Sequence, residues 1–129
     1  MNQVGITALY AGIGGLLLLF LAGRVAQLRL RHSVLFGTGQ VVELERAIRV
    51  HGNAVEYVPL GLLLLLIAEL GDVGAFWLHL FGLFLVGGRA LHAYGLSRFE
   101  GTSLGRVAGI SLTWIAMLGL SLSVLSLGL

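Results

Sequence analysis

Five side chains within one short stretch have the types and spacing to bind a charged small molecule. They are Arg46, Arg49, Asn53, Glu56 and Tyr57, in RAIRVHGNAVEYVP, Arg46 to Pro59. At roughly 100° per helical residue they fall within about 100° of one face. His51 falls on the far side. Arginines fork onto carboxylates, a carboxylate accepts from an ammonium, and an amide both donates and accepts. A ligand with carboxylates, amides and an ammonium would use the whole stripe. The competing reading is that Arg49 and Glu56 form an inter-helix ion pair that holds the bundle together. Five polar groups on one face exceed what one such pair needs.

Arg89 and His92 make a second pair, three residues apart on one helical face, which Leu96 continues. They are either further contacts to the same ligand or an arginine snorkelling to headgroups beside a boundary histidine. His79 reads as a hydrogen-bonded core or interface residue. His32 reads as a solvated loop residue. Four histidines without paired i, i+4 spacing or a second carboxylate cluster argue against a metal centre. Ser97, Ser103 and Ser111 lack the strand–turn–helix context of a hydrolase nucleophile.

The elements that must position these groups are apolar helices of membrane length. Val4 to Gly23 holds twenty residues without a charge, about 30 Å of helix and so the thickness of a hydrocarbon core. Ala8, Gly12 and Gly15 put small residues along it, where another helix can approach. Arg24, Arg29 and Arg31 follow, and His32 to Val42 reads as a loop turning at Gly37, Thr38 and Gly39. The next uncharged run, Tyr57 to Ala68, has twelve residues and is too short to cross. Its helix must reach back to about Val50, which draws Asn53 and Glu56 below the membrane surface. An unpaired carboxylate there costs several kcal/mol. Pro59 lacks an N–H and is expected to open or kink this helix.

Glu69, Gly71 and Asp72 read as an acidic turn on the opposite side. Val73 to Gly88 is again short, so the third span should run past Arg89 towards Leu96. Gly95 to Ser103 reads as a second polar loop, and Val107 to Leu129 is an uncharged fourth span. Gly101, Gly105 and Gly109, four apart, offer a close-packing face. Tyr10 and Trp77 read as interfacial belt residues near the outer surface. The expected architecture is one all-α domain over 1–129, a four-transmembrane-helix bundle with spans at about 4–28, 45–70, 73–97 and 104–128. Both arginine-bearing loops lie on one side. The positive-inside rule puts them in the cytoplasm, with both termini outside.

Composition narrows the function classes. Of 129 residues, 57% are apolar and 11% charged, as expected of a membrane domain. No cysteine means no disulfide, no thiolate metal site and no cysteine nucleophile. Sulfur chemistry would need a thiol from outside. All eight basic residues are arginine, which suits carboxylate recognition or reflects codon preference. A net charge of +2 gives no electrostatic basis for nucleic-acid binding. The first basic residue is Arg24, so the first span is expected to remain in the mature protein.

RAIRVHGNAVEYVPL resembles the signature of the MAPEG family, the membrane-associated proteins in eicosanoid and glutathione metabolism. Arg46, Arg49, Asn53, Glu56, Tyr57 and Pro59 stand at its spacing. GRALHAYGLSR, Gly88 to Arg98, is similar to the third-helix end of bacterial members. The resemblance implies a homotrimer in a bacterial inner membrane, with glutathione bound between subunits near the cytoplasmic boundary. It implies that Arg49, Asn53, Glu56 and Tyr57 hold the tripeptide, with Arg46, Arg89 and His92 beside it. It also implies an arginine near the start of the fourth helix facing the sulfur, a place that Arg106 or Arg98 fills. Leu96 stands where eicosanoid-forming members carry a tyrosine, so an eicosanoid substrate is not expected. The function implied is a glutathione-dependent transferase or peroxidase for lipophilic electrophiles in the bilayer. The alternatives are a non-catalytic lipid-binding or scaffold protein of this fold and, from the intramembrane charges alone, a small transporter.

Overall fold

A computed structural model describes residues 3–129. It contains α1 (Gly5–His32), α2 (Val42–Leu70), α3 (Ala75–Arg98) and α4 (Leu104–Gly128), and no strand among the described residues. All four helices are long and apolar enough to cross a membrane. The chain is an all-helical integral membrane protein. The connections are short, at 33–41, 71–74 and 99–103, so successive helices run antiparallel.

The two helices that carry charge inside, α2 and α3, form the centre. α1 packs against both of them, α4 packs against both from the other side, and α1 and α4 do not touch. The uncharged helices therefore flank the charged ones. One apolar core, around Leu65, Leu78, Phe81, Leu85 and Leu120, fills the half away from the arginines. A smaller cluster of Leu21, Val50, Ala54 and Ala93 lies nearer the arginine end.

The α3–α4 contact is the most extensive and depends on glycine. A Cβ on Gly109 would lie 2.5 Å from the His92 backbone nitrogen, and one on Gly95 would lie 2.6 Å from the Arg106 nitrogen. Any side chain there would push the helices apart. Gly105 and Gly109 thus fulfil the close-packing reading, whereas Gly101 is loop, with φ +72° and open space around it. This contact also corrects the expected loop from Gly95: the helix continues to Arg98. Gly95 is a contact residue, not a breaker, because tertiary packing outweighs its poor helix propensity.

Three further expectations are corrected. Pro59 does not open α2, which is unbroken from Val42 to Leu70. Its ring is exposed on the outer face, clear of the core. Tyr10 is no belt residue. It is buried, and its hydroxyl donates to the His79 carbonyl at 3.0 Å and lies 3.2 Å from Nδ1 of the same histidine. Glu69 is not loop but the last turn of α2, where it accepts from the backbone N–H groups of Ile6 (2.8 Å) and Thr7 (2.7 Å). A carboxylate on two free amides at a helix start satisfies orphan donors and suits the helix dipole. In this way α2 ties down the start of α1. At the other end, Arg29 donates to the Gly37 carbonyl at 2.8 Å and steadies the 33–41 loop.

Candidate functional site at the arginine end of helices two to four

Arg89 is the organising residue. It is 1% exposed, the largest fully buried side chain, on a turn of α3 that glycines bring against α4. Its Nε donates to Thr113 Oγ1 at 2.7 Å and one terminal nitrogen donates to the Gly109 carbonyl at 3.3 Å. The Thr113 hydroxyl in turn donates a hydrogen bond to the same carbonyl at 3.0 Å. The guanidinium carbon sits 4.8 Å from the centroid of the Tyr57 ring, close enough for a cation–π contact. The other terminal nitrogen, Nη1, has no hydrogen-bond partner. A buried arginine normally meets a carboxylate, because an uncompensated charge at depth costs several kcal/mol. Here neutral oxygens and an aromatic face hold it, and one N–H-bearing nitrogen is left over.

Tyr57 links this clamp to the α2 stripe. Its hydroxyl accepts from Trp114 Nε1 at 3.2 Å. Asn53 donates to the Arg49 carbonyl at 2.9 Å, four residues back on its own helix, which leaves its side-chain oxygen as a free acceptor. Arg49 and Glu56 stand on the exposed flank of α2. Among the described residues the ion pairs are Arg24–Glu43 at 2.6 Å and Arg46–Glu100 at 3.5 Å. The Arg49–Glu56 pair within the bundle, the structural alternative, is therefore not formed.

Glu56 lies in no enclosed cleft of its own chain. It does lie deep. Thirteen residues separate it from Glu69, about 20 Å along the helix, which in a core of about 30 Å leaves it roughly 10 Å below the arginine-side boundary.

The remaining candidates fall into two groups. His92 is buried, and it lines a small cavity of about 250 Å³ together with Thr102 and Arg106. Arg106 donates to the Gly101 carbonyl in the 99–103 loop. Both therefore belong to the same α3–α4 side as Arg89. Arg98 is nine residues beyond Arg89, about 180° around α3. It lines a separate groove between α1, α2 and α3, where Arg46 also lies. Arg46 reaches back to the α3–α4 loop through Glu100. The stripe residues thus divide, with Arg49, Asn53, Glu56 and Tyr57 facing the α4 side and Arg46 at the junction.

Sequence reasoning missed Thr113 and Trp114. Both sit in a span that reads as uniformly apolar, and only Arg89 and Tyr57 across the interface give them a role. A threonine one residue from a tryptophan is the sole trace in the sequence, and on its own it says nothing.

The MAPEG family model matches residues 7–126. The chain is similar to the inner membrane protein YecN of Escherichia coli K12, at 39% identity over 113 residues that cover 88% of this chain and 85% of that protein. The protein of the same name from Escherichia coli O6:H1 matches equally, at 39% over 113 residues.

Proposed function

Because this chain belongs to the MAPEG family, we propose that it is an integral-membrane glutathione-dependent transferase or peroxidase acting on lipophilic electrophiles. The observation that carries the reading is the pairing of an uncompensated donor and an uncompensated acceptor. Arg89 Nη1 is buried without a hydrogen-bond partner, and Glu56, on the nearby flank of α2, makes no contact ion pair among the described residues of its own chain. Glutathione carries two carboxylates, an ammonium and two amides, which match that set. Charged groups exposed on a helix that crosses a membrane call for something from outside the chain to cover this flank. A homotrimer, with the tripeptide between α2 of one subunit and its neighbour, meets that need.

In this reading Arg49 forks onto a carboxylate, Glu56 accepts from the ammonium, and Asn53 offers its free oxygen to an amide N–H. Tyr57 orients Arg89 through its ring, and Arg89 directs Nη1 at an acceptor on the ligand. Arg106, beside His92, favours the thiolate over the thiol. A free thiol has a pKa near 8.5, and each unit of lowering is worth about 1.4 kcal/mol. Glutathione supplies the nucleophilic sulfur, and no side chain of the protein need become covalently attached. The arginine-bearing ends face the cytoplasm of a bacterial inner membrane.

A second reading, a non-catalytic binding or scaffold protein, is favoured by one observation. Leu96 packs on the apolar cluster of Leu21, Val50, Ala54 and Ala93 and supplies no hydroxyl to the His92 side. Calorimetry on the detergent-purified protein tests the first reading. It expects glutathione binding below millimolar concentration, a thiolate absorbance band, and conjugation of a generic aryl halide. Binding without the thiolate band selects the second reading. No binding at millimolar glutathione sinks both as far as glutathione is concerned.

A further inference from the structure

The groove between α1, α2 and α3 lies apart from the clamp and takes no part in the function proposed above, apart from Arg46 at its edge. It is a half-open groove of about 610 Å³. Its floor is apolar: Leu17, Leu21, Val50 and Ala93 line it, and three of these, Leu21, Val50 and Ala93, are buried. Its mouth is charged, with Arg24, Glu43, Arg46 and Arg98. From Arg24 to Leu17 is seven residues, so the floor runs about 10 Å along α1, from the arginines into the hydrocarbon. Small residues, Ala47 and Ala90, leave the width open, while Phe20 and Tyr94 stand at its sides.

We infer that this groove binds an anionic phospholipid of the arginine-side leaflet, its phosphate at the mouth and one acyl chain along the floor. Charge decides the occupant. Arg24 is held by Glu43 at 2.6 Å and Arg46 by Glu100 at 3.5 Å. Arg98 has no hydrogen bond or ion pair among the described residues. The mouth thus holds three guanidiniums and one carboxylate, Glu43, with Glu100 reaching Arg46 from the 99–103 loop, and Arg98 is the unmatched one. Guanidinium forks suit phosphate, and basic pockets between transmembrane helices recognise anionic headgroups. A neighbouring copy is a poorer match. If it presents its flanking helices, α1 and α4, these carry no acidic residue and would bury the arginine unpaired; a copy presenting α2 is the outcome that Ala90→Phe separates below. A soluble anion would leave the apolar floor unused.

Native mass spectrometry of the full chain in a neutral detergent tests this, by titrating phosphatidylglycerol and phosphatidylcholine of identical acyl chains. Phosphatidylglycerol is expected to bind about tenfold more tightly. Arg98→Gln, which removes no hydrogen bond or ion pair among the described residues, should cut that preference roughly fivefold. Ala90→Phe, which fills the groove without changing charge, should lower the number of bound lipids of both kinds. Equal binding of the two lipids by the wild type overturns the proposal, as does an unchanged preference in Arg98→Gln. If Ala90→Phe alters the oligomeric state rather than the lipid count, the groove is a subunit contact and the proposal also fails. None of these readings involves glutathione, so they stand or fall separately from the proposed activity.

Discussion

Thr113→Val is the sharpest test of the Arg89 clamp. The hydroxyl is fully buried, accepts from Arg89 Nε at 2.7 Å and donates to the Gly109 carbonyl at 3.0 Å. Valine keeps the shape and removes the acceptor. The guanidinium then keeps one bond, the 3.3 Å contact to Gly109, and gains a second nitrogen without a partner beside Nη1. A hydrogen bond to a charged group is worth about 1.5–3 kcal/mol, so the expected loss of stability is about 2 kcal/mol. Thr113→Ser keeps the hydroxyl and loses one methyl, for about 1 kcal/mol. The decisive comparison is with Arg89→Met, which removes the charge that needs the acceptor. On that background Thr113→Val should cost little, so the double-mutant cycle should return a coupling of about 2 kcal/mol. Reversible unfolding in mixed micelles measures each term. If Thr113→Val costs the same with and without Arg89, the hydroxyl does not hold the guanidinium and the clamp is misread. Glutathione affinity should follow the same order, with serine near wild type and valine weakened, if Arg89 presents Nη1 to the ligand.

Arg49→Ala and Glu56→Ala should each weaken glutathione binding by tenfold or more, since each removes a charge-assisted hydrogen bond worth about 1.5–3 kcal/mol; calorimetry reads this, and normal binding by either variant refutes the site assignment. Glu69→Ala strips the carboxylate from the Ile6 and Thr7 amides and should cost about 1 kcal/mol. Hydrogen exchange should then rise over the first turns of α1 and nowhere else. Gly109→Ala drives a Cβ to 2.5 Å from the His92 nitrogen and should destabilise the protein by about 1–3 kcal/mol as an overpacked contact. Gly12→Ala meets nothing within 4 Å in its own chain, so a measurable loss there, read by native mass spectrometry of the assembly, would locate a contact with another copy.

Much of the fold was legible because bilayer physics restricts the menu. Four apolar runs of near-membrane length permit little besides four helices. The shortness of Tyr57–Ala68 requires the helix to begin well before Tyr57, and α2 does begin at Val42, since a helix must span the core whatever it carries. Local signals failed where packing overruled them. Pro59 reads as an opening or a kink, but α2 is not opened there and runs from Val42 to Leu70. Gly95 reads as a loop, but it is the point where α4 approaches α3 most closely. Tyr10 reads as a belt residue, but the facing His79 gives its hydroxyl a buried partner.

The candidate site divides in the same way. Helical periodicity alone aligned Arg49, Asn53, Glu56 and Tyr57, because residues three, four and seven apart share a face on any helix. Periodicity is blind to what faces that stripe. Thr113 and Trp114 lie more than fifty positions from Tyr57, and only the docking of α4 on α2 and α3 makes them partners of the clamp. The same docking separated two arginines equivalent by sequence, Arg106 beside His92 and Arg98 across the helix in the lipid-facing groove. The sequence by itself determined the number of spans and the face of each that carries charge, because each is a property of one helix in a bilayer. Which charge is buried, what neutralises it and which arginine shares its side were decided only by the tertiary structure, because each depends on contacts between helices that no local pattern encodes.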